Sequence, residues 1–235
     1  MSKIFVVVPT YNERGNLKPL VEEIFGLKIN GLSVLVVDDN SPDDTGQLAD
    51  ELSQKYPLQV LHRAEKQGLG KAYVEAFKDI LSVENPPDYI IQMDADFSHD
   101  PKIIPKMLEE IKDHDLVLGS RYVPGGKIEN WDLARRLISR FGNFYARLIL
   151  GLPYRDLTGG FKCFRHEVLE NINLDSLSSV GYCFQIETTL RAHRRGYKIR
   201  ETPITFVERK TGVSKFNPSI ISEAFWQVFL MRWRR

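Results

Sequence analysis

Short apolar runs separated by amphipathic stretches organise the first half of the chain. "IFVVV" and "VLVV" are unbroken hydrophobic segments of strand length. Such runs fit strands covered on both faces of a parallel sheet. They predict strands over Lys3–Val8, Ser33–Val37, Gln59–His62, Tyr89–Met93 and Leu116–Gly119. Between them lie segments with helical periodicity: Asn16–Phe25, Pro42–Tyr56, Gly68–Leu81 and Ile103–Asp113. Alternating strands and helices need right-handed crossovers. The expected fold class is therefore α/β, a Rossmann-like, doubly wound, mostly parallel sheet with helices on both faces. Ser41 is expected to cap a helix whose first residue is Pro42, with Asp43 and Asp44 near its positive end.

After Arg121 the rhythm changes. "VPGGKIEN" reads as loop. "WDLARRLISRFGNFYARLILGL" reads as an amphipathic helix with Leu133, Leu137, Phe141, Phe144 and Leu148 near one stripe. "TGGFKCF" is a turn into a short strand, "FQIETTLRAHRRG" a helix, and "KIRETPITFV" a further strand. No repeat, linker or low-complexity tract divides residues 1–235, which read as one domain in three parts: 1–120, 121–217 and an amphipathic tail over 218–235.

Charge sharpens this division. Residues 1–120 hold 12 Lys/Arg against 21 Asp/Glu, and residues 121–235 hold 20 against 10. The acidic part suits a metal and neutral sugar hydroxyls, and the basic extension suits an anion or anionic surface. Cys163 and Cys183 have no CxxC spacing and read as free thiols in a reducing compartment. No signal peptide is expected, and no stretch approaches the ~20 apolar residues needed to cross a bilayer. A cytoplasmic protein, or one peripheral on the cytosolic face of a membrane, is expected.

In an open parallel sheet, ligands bind beyond the carboxyl ends of the strands. There the chain places Pro9-Thr10-Tyr11-Asn12-Glu13, Asp38-Asp39-Asn40, Asp94-Ala95-Asp96 and Ser120-Arg121-Tyr122. The dinucleotide fingerprint, the P-loop and the GxSxG elbow are missing from these tips. In "KQGLGKAY", Gly68 and Gly70 shape a turn, with Lys71 available to an anion. Two carboxylates one residue apart repel unless a proton or cation intervenes. Asp94 and Asp96 therefore point to a hard divalent ion, Mg²⁺ or Mn²⁺, that also meets substrate phosphates.

"VVVPTYNE", "VVDDNSPDDT", "DADFSHDP" and "GSRYVPGGKIENW", with "ERKTGVSK" downstream, resemble the inverting GT-A glycosyltransferases of family 2 over about Lys3 to Lys215. Within that family the likeness is to the dolichol- or polyprenol-phosphate mannose synthases. The resemblance implies that residues 1–120 bind a nucleotide sugar and 121–217 an acceptor. It assigns Pro9, Tyr11 and Glu13 to the guanine nucleotide, and Asp39 with Asp38 to base or ribose. Asp94 and Asp96 would be metal ligands, with the Ala95 backbone against the nucleotide. Ser98 stands where the family often has Gln, a poorer third ligand. Arg121, Arg135 and Ser139 would grip the acceptor phosphate, and Arg209 and Lys215 would close over donor or acceptor. His99 reads as a bystander. Glu187 is open to two roles, partner of an arginine or sugar contact.

The implied reaction moves mannose from GDP-mannose to a polyprenyl or dolichyl phosphate. An ionised phosphate is its own nucleophile, so no obligatory catalytic base is expected, and Asp156 is the only acid near the glycine turn. The helix over 131–151 and the tail Ser219–Arg235 combine aromatics and arginines, suited to a membrane surface or to ordinary packing on the sheet. A membrane-anchoring partner protein is also implied by the resemblance. The alternatives are the same fold using UDP-glucose or another nucleotide sugar with a lipid phosphate or hydroxyl acceptor, or a non-catalytic nucleotide-binding module. Nucleic acid is not expected, because the aromatics follow helical stripes rather than a strand pattern.

Overall fold

Seven strands form one twisted sheet in the order β3-β2-β1-β4-β7-β5-β8, in a computed structural model that describes residues 2–177, 181–208 and 218–233. The alternating first half comprises β1 (Ile4–Thr10), α1 (Arg14–Gly26), β2 (Leu32–Asp38), α2 (Thr45–Ser53), β3 (Leu58–His62), α3 (Leu69–Leu81), β4 (Tyr89–Gln92), α4 (Ile104–Glu110) and β5 (Leu116–Ser120). These strands run parallel, and each lies within about two residues of the run that predicts it. Strand order reverses between β1 and β4, which opens a crevice at their carboxyl ends.

Alternation along each strand feeds two cores. Val7, Leu35, Val37, Ile90, Leu116 and Leu118 face one layer of helices, which includes α3. Val6, Val8, Val34, Val36, Ile91 and Val117 face the other, which includes α1, α2 and α4. Both faces are thus apolar, as a parallel sheet demands.

The later elements are β6 (Lys127–Glu129), α5 (Leu133–Leu150), β7 (Lys162–Arg165), α6 (His166–Asn171), α7 (Tyr182–Arg194), β8 (Ile199–Pro203), β9 (Thr205–Val207) and α8 (Pro218–Met231). Strand β7 inserts antiparallel between β4 and β5, so the expected short strand becomes a central one. The segment read as loop contains β6, which pairs with β9 in a second, two-stranded sheet. The single strand expected over "KIRETPITFV" is split at Ile204, whose N–H bonds Ser120 of the large sheet while its carbonyl accepts the Lys127 N–H of the small one.

The start expected at Ser41-Pro42 is also corrected. Helix α2 begins at Thr45, after Asp44 in a left-handed conformation. Ser41 instead gives its hydroxyl and amide hydrogens to Asp38 at 2.6 and 3.0 Å, so it closes the turn after β2. The helix expected from Ile103 is preceded by a 3-10 turn, Pro101–Ile103, capped by Asp100.

A buried lysine ties β7 to α7. Lys162 Nζ donates to the Gln185 carbonyl at 2.6 Å and to the Thr188 and Thr189 hydroxyls at 2.9 and 3.0 Å. Burial pushes its pKa down to about 7 from 10.5. Between those two values the unfolded chain holds the proton and the folded one does not, so this group adds stability as pH rises through that window. Urea titrations at pH 7 and 9.5 should show a gain for the wild type that Lys162→Met lacks. Equal gains in both would refute it.

Candidate active site

The crevice is built from strand tips laced to one another. The tip of β1 is held by the tip of β2: Asn12 N–H donates to Ser41 Oγ at 3.1 Å, and Glu13 N–H to Thr45 Oγ1 at 3.0 Å. Pro9 sits in β1 just beyond Val7, where pairing with β4 stops, so its missing N–H costs no ladder bond. Tyr11 is exposed, with Lys66 Nζ 3.3 Å from its ring centre. The Glu13 carboxylate accepts from Asn16 Nδ2 at 2.7 Å, and its carbonyl opens α1.

Asp38 and Asp39 have different surroundings. Asp38 is buried and its carboxylate is taken up by Thr10 and Ser41. Asp39 is also buried, paired with Arg63, whose Nε donates to Glu75 at 2.8 Å. The two other charges fix Arg63, and through it the Asp39 carboxylate. Backbone strain collects at these tips: Asn12, Asn40, Asp44 and Phe97 have φ of 59, 55, 62 and 60°. Asn and Asp tolerate this region, but a phenylalanine there costs on the order of 1–3 kcal/mol.

Phe97 follows the acid pair. Asp94 and Asp96 are both half-buried, and Asp96 Oδ1 accepts the Ser98 N–H at 3.0 Å. Beneath them the Tyr73 hydroxyl donates to the Met93 carbonyl at 3.2 Å. Burial, then the charges of Asp94 and Asp96, raise the Tyr73 pKa well above 10, so it remains a phenol. Ala95 is buried in the core and turns its side chain from the ligand side. The Ser98 hydroxyl is buried without a hydrogen-bond partner. Among the described residues no three His, Cys, Asp or Glu side chains converge as a cage. Two partly accessible carboxylates, with the neighbouring His99 Nδ1 taken up by the Asp94 N–H, fit Mg²⁺ or Mn²⁺, which complete their shells with water and phosphate oxygen.

His99 joins this acid pair to a basic cluster. Its Nδ1 accepts the Asp94 N–H at 3.1 Å, so that nitrogen carries no proton. Burial lowers its pKa against the pull of Asp94 and Asp96, and the ring is neutral at pH 7. It stacks on Phe161 and meets Phe206 edge-on at 5.8 Å. Phe206 in turn lies 5.4 Å from the Arg121 guanidinium, and 5.4 Å from Trp131 between ring centres.

Three guanidinium groups share the rings of Tyr122 and Trp131. Arg121 lies 5.4 and 5.5 Å from their centres, Arg135 is 4.2 Å from Trp131, and Arg140 is 6.0 Å from Tyr122. Arg121 is buried and forked onto Asp156, with bonds of 2.7 and 2.6 Å. Asp156 is thereby occupied as an ion-pair partner of Arg121. Arg135 pairs with Glu208. The Tyr122 hydroxyl donates to Ser139 Oγ at 2.7 Å, and the Trp131 indole N–H is buried without a partner. Asn143, also buried, clamps the glycine turn: its Oδ1 accepts from Leu157 and Thr158, and its Nδ2 donates to Ser139 and Thr158.

Tyr122, Trp131 and Phe206 were not assigned roles from sequence, although the first two lie inside "GSRYVPGGKIENW". Phe206 carried no signal, because only the β6–β9 pairing brings it near. Glu187 resolves as an arginine partner, bound to Arg191. Gly68 does shape a turn, with φ of 99°, whereas Gly70 lies inside α3 and not in the turn. Cys163 and Cys183 are buried and form no disulfide. Arg209 and Lys215 lie outside the described residues.

The apolar stripe of α5 points outward. Leu133, Leu137, Phe141, Phe144 and Leu148 are 56–71 % exposed, and the helix buries Asn143 and Ala146 instead. Trp226, Phe229, Leu230 and Trp233 on and after α8 extend the exposed surface. Phe225 joins the two helices against Tyr145, 4.4 Å between ring centres. No helix among the described residues is long and apolar enough to cross a membrane.

Known proteins place these features in context. The chain is 44% identical over 229 residues to a polyprenol monophosphomannose synthase of Mycolicibacterium smegmatis, covering 96% of this chain and 85% of that one. It is 44% identical to an undecaprenyl-phosphate mannosyltransferase of Micrococcus luteus, covering 98% and 93%. Its fold matches a crystal structure of glucosyl-3-phosphoglycerate synthase from Mycobacterium tuberculosis in complex with Mn²⁺, uridine diphosphate and glucosyl-3-phosphoglycerate. That match has a TM-score of 0.69 at 18% identity and covers 98% of this chain and 78% of that one. Residues 5–172 match the model of glycosyl transferase family 2, and the chain belongs to that family.

Proposed function

We propose that this chain transfers mannose from GDP-mannose to a polyprenyl phosphate of the dolichyl type, with inversion at the anomeric carbon. The observation that carries this reading is the continuity of three surfaces. The Asp94/Asp96 pair meets the Arg121–Arg135–Arg140 cluster through His99 and Phe206, and that cluster lies at the head of the exposed α5 stripe. A substrate with an anionic head and a long apolar tail suits such an arrangement. The names of the relatives support the same acceptor.

Pro9, Tyr11 and Glu13 hold the guanine nucleotide, with Asp39 on base or ribose and Asp38 fixing the turn that carries it. Ala95 offers its backbone. Asp94 and Asp96 would hold Mg²⁺ or Mn²⁺, with Ser98 the neighbouring candidate, and that ion supplies positive charge where the diphosphate departs. Arg121, Arg135 and Ser139 receive the acceptor phosphate, which carries roughly −1.5 to −2 charge near neutral pH. Bidentate guanidinium contacts orient one phosphate oxygen toward the sugar. Because that oxygen is already ionised, no side chain needs to remove a proton. Attack from the side opposite the diphosphate inverts the centre. Arg209 and Lys215 close over the donor or acceptor.

The membrane side follows from α5 and α8, which lie on an anionic bilayer surface and present the lipid head to the arginines. Phe141→Ser with Phe144→Ser should lower binding to phosphatidylglycerol vesicles by about tenfold per side chain. Unchanged sedimentation with vesicles would refute this. The reaction itself is tested by radiolabelled transfer with GDP-mannose and UDP-glucose, each offered with two polyprenyl phosphates of different length. Product only from GDP-mannose is expected. Preferred use of UDP-glucose would overturn the donor, and no lipid product would overturn the acceptor.

A further inference from the structure

Gln185 has no part in the reaction as described above. Its side chain lies on α7 at 3% exposure, and neither its Nε2 nor its Oε1 has a hydrogen-bond partner. Leaving a buried amide unsatisfied costs about 1–3 kcal/mol. The backbone beneath it is clamped: the Gln185 carbonyl accepts from Lys162 Nζ at 2.6 Å and from the Thr188 and Thr189 hydroxyls at 3.1 and 3.2 Å. The amide is therefore carried on a rigid element.

Its surroundings identify what it waits for. A Cβ at Gly160 would stand 3.6 Å from Gln185 Nε2, 3.6 Å from Asp94 Oδ2 and 3.4 Å from His99 Cε1. Gly160 thus opens a small polar space between the amide and the acid pair. An anion there would be repelled by Asp94, and a cation is already served by the carboxylates. A neutral group that both donates and accepts fits better, because the amide presents N–H and C=O side by side. Adjacent hydroxyls of a hexose have that character.

We propose that Gln185 contacts the sugar ring of the donor, reading a hexose hydroxyl across Gly160 from Asp94, and that it sets the preference between hexose epimers. The inference rests on the proposed donor chemistry and adds a residue and a specificity to it. Calorimetry in the presence of Mn²⁺ with GDP and with GDP-mannose tests it on the full chain, using Gln185→Leu, Gln185→Glu and Gly160→Ala. The alanine makes only ordinary van der Waals contacts, so it fills the space without displacing the fold. All three variants should bind GDP within twofold of the wild type. Their affinity for GDP-mannose should fall about tenfold, the worth of one or two lost hydrogen bonds. The transfer ratio of GDP-mannose to GDP-glucose should fall with it. If Gly160→Ala and either Gln185 variant keep wild-type GDP-mannose affinity and donor ratio, the inference is overturned while the functional reading stands. A wild type that binds neither GDP nor GDP-mannose overturns both.

Discussion

Asp96→Asn should lower mannosyl transfer to polyprenyl phosphate by ~10³-fold at saturating donor, the scale expected when charge stabilisation worth several kcal/mol is lost. The substitution is a fair test because the fold should survive it. Asp96 Oδ1 accepts the Ser98 N–H, and the amide oxygen of asparagine accepts that bond equally well. The melting temperature should therefore stay within a few degrees. What changes is one negative charge at a partly accessible site. Calorimetric titration with Mn²⁺ should show affinity falling at least tenfold, and excess Mn²⁺ should recover part of the activity. Asp94→Asn should behave alike, with a further effect on His99, whose neighbouring charge it removes. Full transfer activity in Asp96→Asn would end the metal-assisted reading, whatever the relatives do.

Arg121→Ala should destabilise the protein by about 3–5 kcal/mol, the usual penalty for leaving a buried charge alone. Asp156 is 1 % exposed and its carboxylate is bound by the Arg121 side chain and backbone N–H. Without the guanidinium it is left with little compensation. Asp156→Ala alone should be costly for the same reason, and the double variant should lose less than the two singles together. Urea unfolding of the four proteins measures the coupling. Additive losses would show that the pair is not coupled. The same cycle separates support from chemistry. Arg135 pairs with a more exposed Glu208, so Arg135→Ala should cost under about 1 kcal/mol of stability, while raising KM for the lipid phosphate. Arg121 is thus expected to hold the glycine turn as well as to receive the phosphate, and Arg135 to act by direct attraction alone.

Much of the first half of the chain was legible without coordinates. β1, β2 and β4 are apolar at consecutive positions because both faces of each strand are covered, and that pattern survives any detail of order. Acids placed directly after such runs must lie at the carboxyl edge of the sheet, so Asp39, Asp94 and Asp96 could be located from spacing alone. Even there, local propensity misled at Ser41-Pro42, where the Asp38 carboxylate competes for the serine and delays α2 to Thr45.

The second half of the chain depends on contacts between distant positions. Nothing local marks β7 as a central antiparallel strand, because its neighbours β4 and β5 supply the reason for its place. Arg121 finds Asp156, His99 finds Phe206, and Gln185 approaches Gly160 only once that strand is inserted. Helix α5 makes the point most directly. Its sequence determines that one face is apolar, since periodicity of 3.6 residues is a property of the chain itself. Which face meets the protein is decided by what lies opposite: the glycine turn needs the amide of Asn143 to satisfy its peptide N–H groups, so the polar side turns inward and the leucines and phenylalanines turn out. The sequence by itself determined the five parallel strands of the first half, their acidic edge and the amphipathic helix. Tertiary structure decided the partners of the arginines and the outward direction of the apolar stripe, because pairing energies between remote residues are written in no single segment.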